Sequence, residues 1–189
     1  MRCAAGRPGL QRCAHRAEGA TDLQMTENSS AEIDPRELRN ACGLFATGIT
    51  VVTTELDGDV HGMTANAFMS VSLDPPLLVV SVGHKARLHD LLQETGRYAV
   101  SILRHDQEDY SSHFAGWPVE GLEVEFERRE GYPVLPDGLA YFVCRVVDAH
   151  PAGDHTLYIG QVEYLEYSAG EPVLFYGGKY RQMTPLEKG

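Results

Sequence analysis

Apolar residues recur at helical spacing in the first clearly patterned part of the chain, which follows residue 33. Asp34 is a favoured N-cap residue, Pro35 suits the first helical position, and Gly48 is a natural place for a helix to stop. The pattern therefore predicts a helix that begins after Asp34 and packs as a lid on the rest of the domain. Its apolar face consists of residues three or four positions apart: Leu38, Ala41, Cys42 and Phe45.

β-Branched and apolar runs separated by tight turns dominate the chain after that helix. Asp57-Gly58 lies between two such runs and is a strong hairpin signal, and the unbroken apolar run 77–82 predicts a central strand. Sequential runs joined by short turns predict a mainly β fold, an antiparallel barrel with short helices, rather than βαβ units. The predicted strands span residues 49–56, 60–63, 77–82, 97–103, 138–150, 155–167 and 173–176; helices are predicted at 86–95 and 105–115, and a loop at 116–138.

Composition and charge narrow the classes of function. The chain has 189 residues, of which 43% are hydrophobic and 23% charged, which is ordinary for one globular domain. No run approaches the roughly 20 apolar residues of a membrane helix. The formal net charge of −11 argues against nucleic acid as a ligand. An anionic cofactor must therefore be bound by a local positive patch or by backbone donors.

The four cysteines indicate neither a disulfide framework nor a zinc site, because no two of them form a CxxC pair. Cys3 and Cys13 lie in a poorly patterned leader. Cys42 and Cys144 lie in predicted apolar elements, where we expect buried and inert thiols. Free thiols of this kind are typical of a reducing cytoplasm.

Residues 1–30 differ from the remainder of the chain. Up to Met25 they contain four arginines against two acidic residues, and they lack both the apolar core of a secretory signal and any helical or strand period. We expect a disordered N-terminal extension at 1–30, with the folded domain at 31–189. Met25 is an alternative start of translation, and an arginine-rich mitochondrial transit peptide is a rival interpretation of the same residues.

The stretch from His61 to Pro76 has the composition of a ligand cradle. It is rich in small residues and hydroxyls, so that a ligand can approach the backbone and use its N–H groups as donors. Asn66 offers an amide donor and a carbonyl acceptor together, which suits the edge of a heteroaromatic ring such as a flavin. No GxGxxG motif opens a helix after a strand, so a Rossmann dinucleotide site is not expected.

A second candidate lies at the junction of a predicted strand and helix, at residues 83–89. Lys85 and Arg87 gather there with two histidines in an otherwise acidic chain. Cations beside a helix N-terminus form a ready phosphate site, and Arg suits such a contact through its bidentate fork. The alternative is an ordinary solvated helix start.

Five segments carry a resemblance to a known family, and together they cover about residues 34–181. The chain resembles the flavin reductase-like, FMN-binding split-barrel family, and within it the reductase component of two-component flavin-dependent monooxygenases. The resemblance implies an antiparallel, Greek-key-like split barrel, a homodimer, and reduction of FMN or FAD by NADH or NADPH. Reduced flavin then passes to a separate oxygenase. The matching segments are residues 48–54, 62–68, 70–76, 153–156 and 172–180.

The resemblance also implies site residues. His155 is assigned to the nicotinamide side, where it orients the carboxamide or the ribose-phosphate and is the one candidate catalytic residue, without acting as an obligatory proton donor. The other nicotinamide contacts are Tyr176, Gly177, Gly178 and Tyr180. The implied flavin contacts are Thr47, Met63, Thr64, Ala65, Asn66, Ala67, Ser70, Ser81, Val82, Gly83, Lys85, Arg87, His113 and Phe114; no metal is expected.

Two other classes of function remain open on the sequence. One is a flavin-binding or flavin-sensing barrel without enzymatic activity, and the other is a structural barrel without a cofactor. A protein that only binds flavin has no need of His155 or of the loop 176–180, so these residues favour the enzyme. The sequence does not choose between FMN and FAD or between NADH and NADPH.

Overall fold

The computed structural model describes residues 32–184, so the extension predicted at residues 1–30, with Cys3 and Cys13, lies outside the described residues. Within that range the chain forms three helices and twelve strands. The helices are α1 (Pro35–Cys42), α2 (Arg87–Thr95) and α3 (Glu108–Phe114). The strands are β1 (Thr47–Gly48), β2 (Thr50–Leu56), β3 (Asp59–Ala65), β4 (Phe68–Leu73), β5 (Pro76–Gly83), β6 (Arg97–Ile102), β7 (Glu127–Arg129), β8 (Tyr132–Val134), β9 (Ala140–Ala152), β10 (His155–Tyr167), β11 (Leu174–Tyr176) and β12 (Lys179–Arg181).

Seven strands form one antiparallel sheet in the order β3-β2-β6-β9-β10-β5-β4. Strands β3 and β4 are its two edges, yet they follow each other in the chain and only Asn66 and Ala67 separate them. Three peptide units span at most about 11 Å, so the two edges must approach and the sheet must curl into a barrel. The predicted antiparallel, Greek-key-like split barrel is confirmed, because three of the six neighbouring pairs in the sheet, β2-β6, β6-β9 and β10-β5, join strands that are not consecutive in the chain.

The barrel core is built from side chains that alternate inward along each strand. On β5, Leu78, Val80 and Val82 are buried, whereas Val79 and Ser81 on the opposite face are half-buried. The run 77–82 is therefore an interior strand, as predicted, because it pairs with β10 on one side and β4 on the other, and its side chains alternate between a buried and a half-buried face. Helix α2 inserts its leucines into this core.

Local turn chemistry was largely predictable. Asp57 and Gly58 have φ of 53° and 90° and join β2 to β3, which confirms the predicted hairpin. Strands β9 and β10 form the predicted long hairpin, but its turn is only Gly153-Asp154 instead of four residues. The loop predicted at 116–138 is wrong in part, because it contains the hairpin β7–β8, whose strands have only three residues each, too few to give an alternating signal.

Helix α1 differs most from its prediction. The Asp34 carboxylate accepts a hydrogen bond from the Arg36 backbone N–H at 2.6 Å, as an N-cap should. The helix ends at Cys42 rather than near Gly48, because the chain then extends into β1, which pairs with β11. No residue of α1 is buried, so the apolar face does not pack as a lid, and Cys42 is exposed rather than a core thiol.

Cys144 is buried in the barrel core, as predicted, and burial raises the pKa of its thiol to about 12. No helix between residues 32 and 184 is long and apolar enough to cross a membrane. Over the same residues, no group of three His, Cys, Asp or Glu side chains is arranged to hold a metal ion.

Candidate functional site

Three cavities meet at Asn66, in the two-residue connection between β3 and β4. The large cavity has a volume of about 670 Å³, the second cavity about 580 Å³ and the small cavity about 150 Å³, and Asn66 lines all three. The two larger volumes lie in the range of small-molecule and cofactor sites. Asn66 is exposed, so both ends of its amide are available to ligands in adjoining cavities.

The large cavity lies on the outer face of the barrel. Its walls come from the half-buried face of β5, from the Asn66-Ala67 connection, from β10 and from β1. Of the residues implied in flavin binding, the structure brings four together here: Thr47, Asn66, Ala67 and Ser81. Most of the remaining wall is apolar, as a ring-binding cleft requires: Phe45, Ile49, Phe68, Met69, Val79 and Leu157.

The Thr47 hydroxyl provides a test of whether this cavity suits a polar ring. Thr47 Oγ1 is buried and has no hydrogen-bond partner among residues 32–184. A buried hydroxyl without a partner is uncommon in a folded protein and is expected where a ligand supplies the missing bond. The cavity therefore fits an aromatic group with hydrogen-bonding atoms at its edge.

The second cavity lies between the end of α1 and the turn that joins β11 to β12. Gly177 and Gly178, implied in nicotinamide binding, form this turn with φ of 58° and 74°. The Gly177 N–H donates to the Gly43 carbonyl at 2.8 Å, which fastens the turn to the end of the helix. Tyr176 beside the turn is 41% exposed and lines none of the three cavities.

Sequence reasoning missed the α1 wall of the second cavity, to which Arg39 contributes. A signal was present, because Arg39 has no acidic residue three or four positions away in its helix to pair with. The other α1-side residues of this wall are Asn40, Cys42, Gly43, Leu44 and Phe45.

The small cavity lies against α3, and its polar side chains are largely engaged with one another. Thr64 Oγ1 donates to the Ser111 carbonyl at 2.7 Å. The Tyr180 hydroxyl lies 3.0 Å from Ser111 Oγ and 3.2 Å from Ser112 Oγ. Thr64 and Tyr180 therefore line a cavity beside Asn66 while fastening α3 to the barrel.

Eleven implied flavin or nicotinamide residues lie outside the three cavities, and seven of them do so for identifiable local reasons. The Phe114 ring packs on Gly62, where an added Cβ would lie 2.6 Å from two ring carbons, and His113 packs edge-on against Phe114 at 5.1 Å. The side chains of Ala65 and Val82 are buried in the core, so only their backbone groups can face a ligand. Met63 packs against the core, Ser70 is exposed on β4, and Tyr176 lies outside as described above.

The end of β5 connects the large cavity to the cationic junction. Gly83 lies two residues beyond Ser81, about 7 Å along the strand, and pairs with His155 of β10. A Cβ added at Gly83 would lie 3.5 Å from His155 Nε2, an ordinary van der Waals distance, so the imidazole lies directly beside this end of β5. Lys85 and Arg87 follow directly, both exposed at the start of α2.

His155 is held by its neighbour in the turn. Its Nδ1 lies 2.7 Å from Asp154 Oδ1, an orientation in which Nδ1–H donates and Nε2 is left for a ligand. This hydrogen bond lowers the pKa of the Asp154 carboxyl, and the His155 side chain is 46% exposed. The imidazole is therefore oriented and accessible.

The cations without a carboxylate partner among the described residues lie on α1, at the start of α2 or on β12, and Arg39 of α1 lines the second cavity. Of the eleven Lys and Arg side chains in residues 32–184, five have a carboxylate within 4 Å, and all five are elsewhere: Arg97, Arg104, Arg128, Arg129 and Arg145. The six without such a partner in this range lie on α1, at the start of α2 or on β12: Arg36, Arg39, Lys85, Arg87, Lys179 and Arg181. Within residues 32–184, an acidic chain thus carries positive charge without a carboxylate partner on the elements where an anionic ligand is expected.

Comparison with known proteins gives consistent matches over this part of the chain. The model of the flavin reductase like domain matches residues 42–184. An NADH-dependent flavin reductase of Rhodococcus sp is 50% identical over 168 residues, 86% of this chain and 96% of that protein. The reductase component of 4-hydroxyphenylacetate 3-monooxygenase from Thermus thermophilus is 40% identical over 147 residues, 77% and 95% of the two chains. The solved structure of flavin reductase PheA2 has 51% identity and a TM-score of 0.79, covering 81% of this chain and all of that one.

Proposed function

We propose that this chain, which belongs to the flavin reductase-like domain family, oxidises NADH, reduces FMN or FAD, and supplies the reduced flavin to a partner monooxygenase. The observation that carries the proposal is that two ligand-sized cavities adjoin at Asn66, the larger one with an unpartnered Thr47 hydroxyl. Two adjoining cavities are what a reaction between two nucleotides requires. The two relatives described above, named as a flavin reductase and as a monooxygenase reductase component, support both halves of the proposal.

The flavin ring is assigned to the large cavity. The Thr47 hydroxyl and the Asn66 amide meet its polar edge, and the apolar wall meets its faces. The phosphate extends along β5 towards Lys85 and Arg87, which have no carboxylate partner among the described residues. Because FMN and FAD share the ring and this phosphate, both are substrates of the proposed reaction.

The nicotinamide nucleotide is assigned to the second cavity and its surroundings. Gly177 and Gly178 let it approach the backbone, and Arg39 offers a charge for its phosphates. His155 lies at the cationic end of the site, so we assign the ribose-phosphate to its free Nε2. The two nucleotides, once bound, would themselves supply the hydride transfer, from C4 of the nicotinamide to N5 of the flavin. The contribution of the protein is alignment of the rings and exclusion of water.

Two further parts of the proposal are a homodimer and a cytoplasmic location. Leu38, Leu44 and Phe45 beside the second cavity and Met69 on the edge strand β4 are all more than half exposed. A second copy that covers this apolar surface would also complete the wall of the large cavity, which Phe45 and Met69 line. Sedimentation velocity tests the dimer, and Phe45→Glu is expected to yield a monomer with weaker flavin binding.

The free thiols of Cys42 and Cys144 support a reducing compartment.

Anaerobic stopped-flow absorbance tests the reaction. Mixing the flavin-loaded protein with NADH is expected to bleach the flavin band, whereas a yellow protein that NADH does not bleach would contradict the enzyme and leave only flavin binding. His155→Ala is expected to raise the KM for NADH about 10-fold, the worth of one charge-assisted hydrogen bond, with the flavin KM unchanged. His150→Ala is the matched control, because His150 on the same hairpin is exposed and likewise lies near an aspartate, 2.9 Å from Asp148.

A further inference from the structure

A hydroxyl on β10 lies between two imidazoles that belong to the cationic junction. Thr156 Oγ1 is 3.1 Å from His84 Nε2 and 3.1 Å from His89 Nε2, and the two rings meet edge to face with centroids 4.9 Å apart. Thr156 is 5% exposed, so its hydroxyl has little access to water. Three elements thus meet at one oxygen: the turn after β5, helix α2 and strand β10.

The number of protons available decides which atom is the donor and which the acceptor in each hydrogen bond of this cluster. His89 Nδ1 lies 3.1 Å from the Asp90 carboxylate, so the proton of a neutral His89 resides on Nδ1 and its Nε2 is an acceptor. Thr156 has one hydroxyl proton and donates it to His89 Nε2. The remaining bond then requires His84 Nε2–H to donate to Thr156 Oγ1. The chain of donors therefore runs from His84 through Thr156 and His89 to Asp90.

This chain fixes the segment that carries the two cations. His84 stands immediately before Lys85, and its backbone N–H donates to the Asp154 carbonyl at 2.9 Å. The carbonyl of His89 accepts from the Tyr158 hydroxyl at 3.0 Å, so the helix is tied to β10 at a second point. Lys85 and Arg87 have no carboxylate partner in residues 32–184, so their own side chains contribute no ion pair that would hold the turn.

We propose that His84, Thr156 and His89 are positioning residues for the flavin phosphate: their hydrogen-bond chain holds the turn so that Lys85 and Arg87 face a phosphate at the end of β5. The inference rests on the proposed flavin site and adds residues to it. The chain acts on the phosphate alone, because the ring cavity lies about 7 Å away along the strand and uses other residues. Its loss therefore weakens ligands that carry a phosphate and spares those that lack one.

The experiment measures the Kd of FMN and of riboflavin by fluorescence titration without NADH, so that its outcome is independent of reductase activity. For Thr156→Val, which removes the hydroxyl and keeps the shape, we expect a roughly 10-fold weaker Kd for FMN and an unchanged Kd for riboflavin. Thr156→Ser, which restores a hydroxyl, is expected to recover most of the FMN affinity. His84→Ala at the exposed end of the chain repeats the test should the buried variant fail to fold.

Thr95→Val is the matched control, because the Thr95 hydroxyl ties the other end of α2 to β2, where it lies 3.0 Å from Thr54 Oγ1. It should lower stability and leave the ratio of the two Kd values at the wild-type value. Equal losses for FMN and riboflavin in Thr156→Val or His84→Ala would overturn the positioning role. A wild-type protein that binds riboflavin as tightly as FMN would overturn it as well, while leaving the NADH bleaching experiment to decide the reductase.

Discussion

Replacing Thr47 by valine should raise stability and weaken flavin binding at the same time. Thr47 Oγ1 is buried at the large cavity without a hydrogen-bond partner among the described residues. In the ligand-free protein the hydroxyl therefore carries a desolvation penalty that nothing offsets. Valine has the same shape and suits strand β1, so the substitution removes the penalty without creating a cavity.

The expected changes in stability and in flavin affinity both follow from the missing hydrogen bond of the Thr47 hydroxyl. A buried unsatisfied polar group costs about 1–3 kcal/mol. Since Thr47 is only half-buried, we take the lower end, a gain of about 1 kcal/mol in unfolding free energy. For a domain of this size that is a rise of about 2–4 °C in Tm. The lost bond to the flavin, also about 1 kcal/mol, corresponds to a Kd roughly five times weaker.

The assay pairs thermal unfolding of flavin-free protein with fluorescence titration of FMN. Thr50→Val is the matched control, because the Thr50 hydroxyl is buried and already donates to the Ala65 carbonyl at 2.7 Å. Its removal should lower the unfolding free energy by about 1–3 kcal/mol, opposite in sign to the effect at Thr47. If Thr47→Val lowers Tm as Thr50→Val does, or leaves the Kd of FMN unchanged, then the Thr47 hydroxyl does not form a hydrogen bond with the flavin.

Three further predictions concern the shared residue, the thiols and the core. Asn66→Ala should weaken the binding of FMN and of NADH about 10-fold each in equilibrium titrations, because Asn66 lines both large cavities. If only one of the two Kd values changed, Asn66 would not contact both ligands. With Cys3 and Cys13 changed to serine, a thiol reagent at pH 8 should label the exposed Cys42 and spare the buried Cys144, whose thiol pKa is raised to about 12. Because Cys42 lines the second cavity, NADH should slow its labelling. Gly160→Ala should destabilise the protein by about 1–3 kcal/mol in urea unfolding, since its Cβ would lie 2.7 Å from Tyr98 Cζ; a midpoint equal to that of wild type would show that the core relaxes freely.

Features that depend on neighbours in sequence could be predicted well. The Asp57-Gly58 turn, the Asp34 cap and the αL end of α2 at Gly96 each follow from one or two residues. The helical period of α1 was also detected, but a period shows only that one face is apolar. It does not show whether the same chain covers that face, and here Phe45 remains 77% exposed.

In the candidate site, too, some residues could be recognised from the sequence, whereas the roles of others depend on contacts with distant parts of the chain. Sequence and family resemblance singled out Asn66, whose place between two sheet edges depends on the whole sheet order. Thr64 and Phe114 look equally suitable as ligand residues, but one donates to the Ser111 carbonyl and the other packs on Gly62. These engagements join residues about fifty positions apart, so no local pattern reveals them.

The closure of the barrel through Asn66 and Ala67 has a consequence for synthesis on the ribosome. Strand β10 lies between β9 and β5 in the sheet, so the sheet cannot close into a barrel until β10 has emerged. A nascent chain that ends before His155 holds nearly every proposed flavin contact in its sequence and still lacks the strand that joins β9 to β5. Flavin added during translation would therefore bind only to nearly finished polypeptides, and its uptake would report that the barrel has closed.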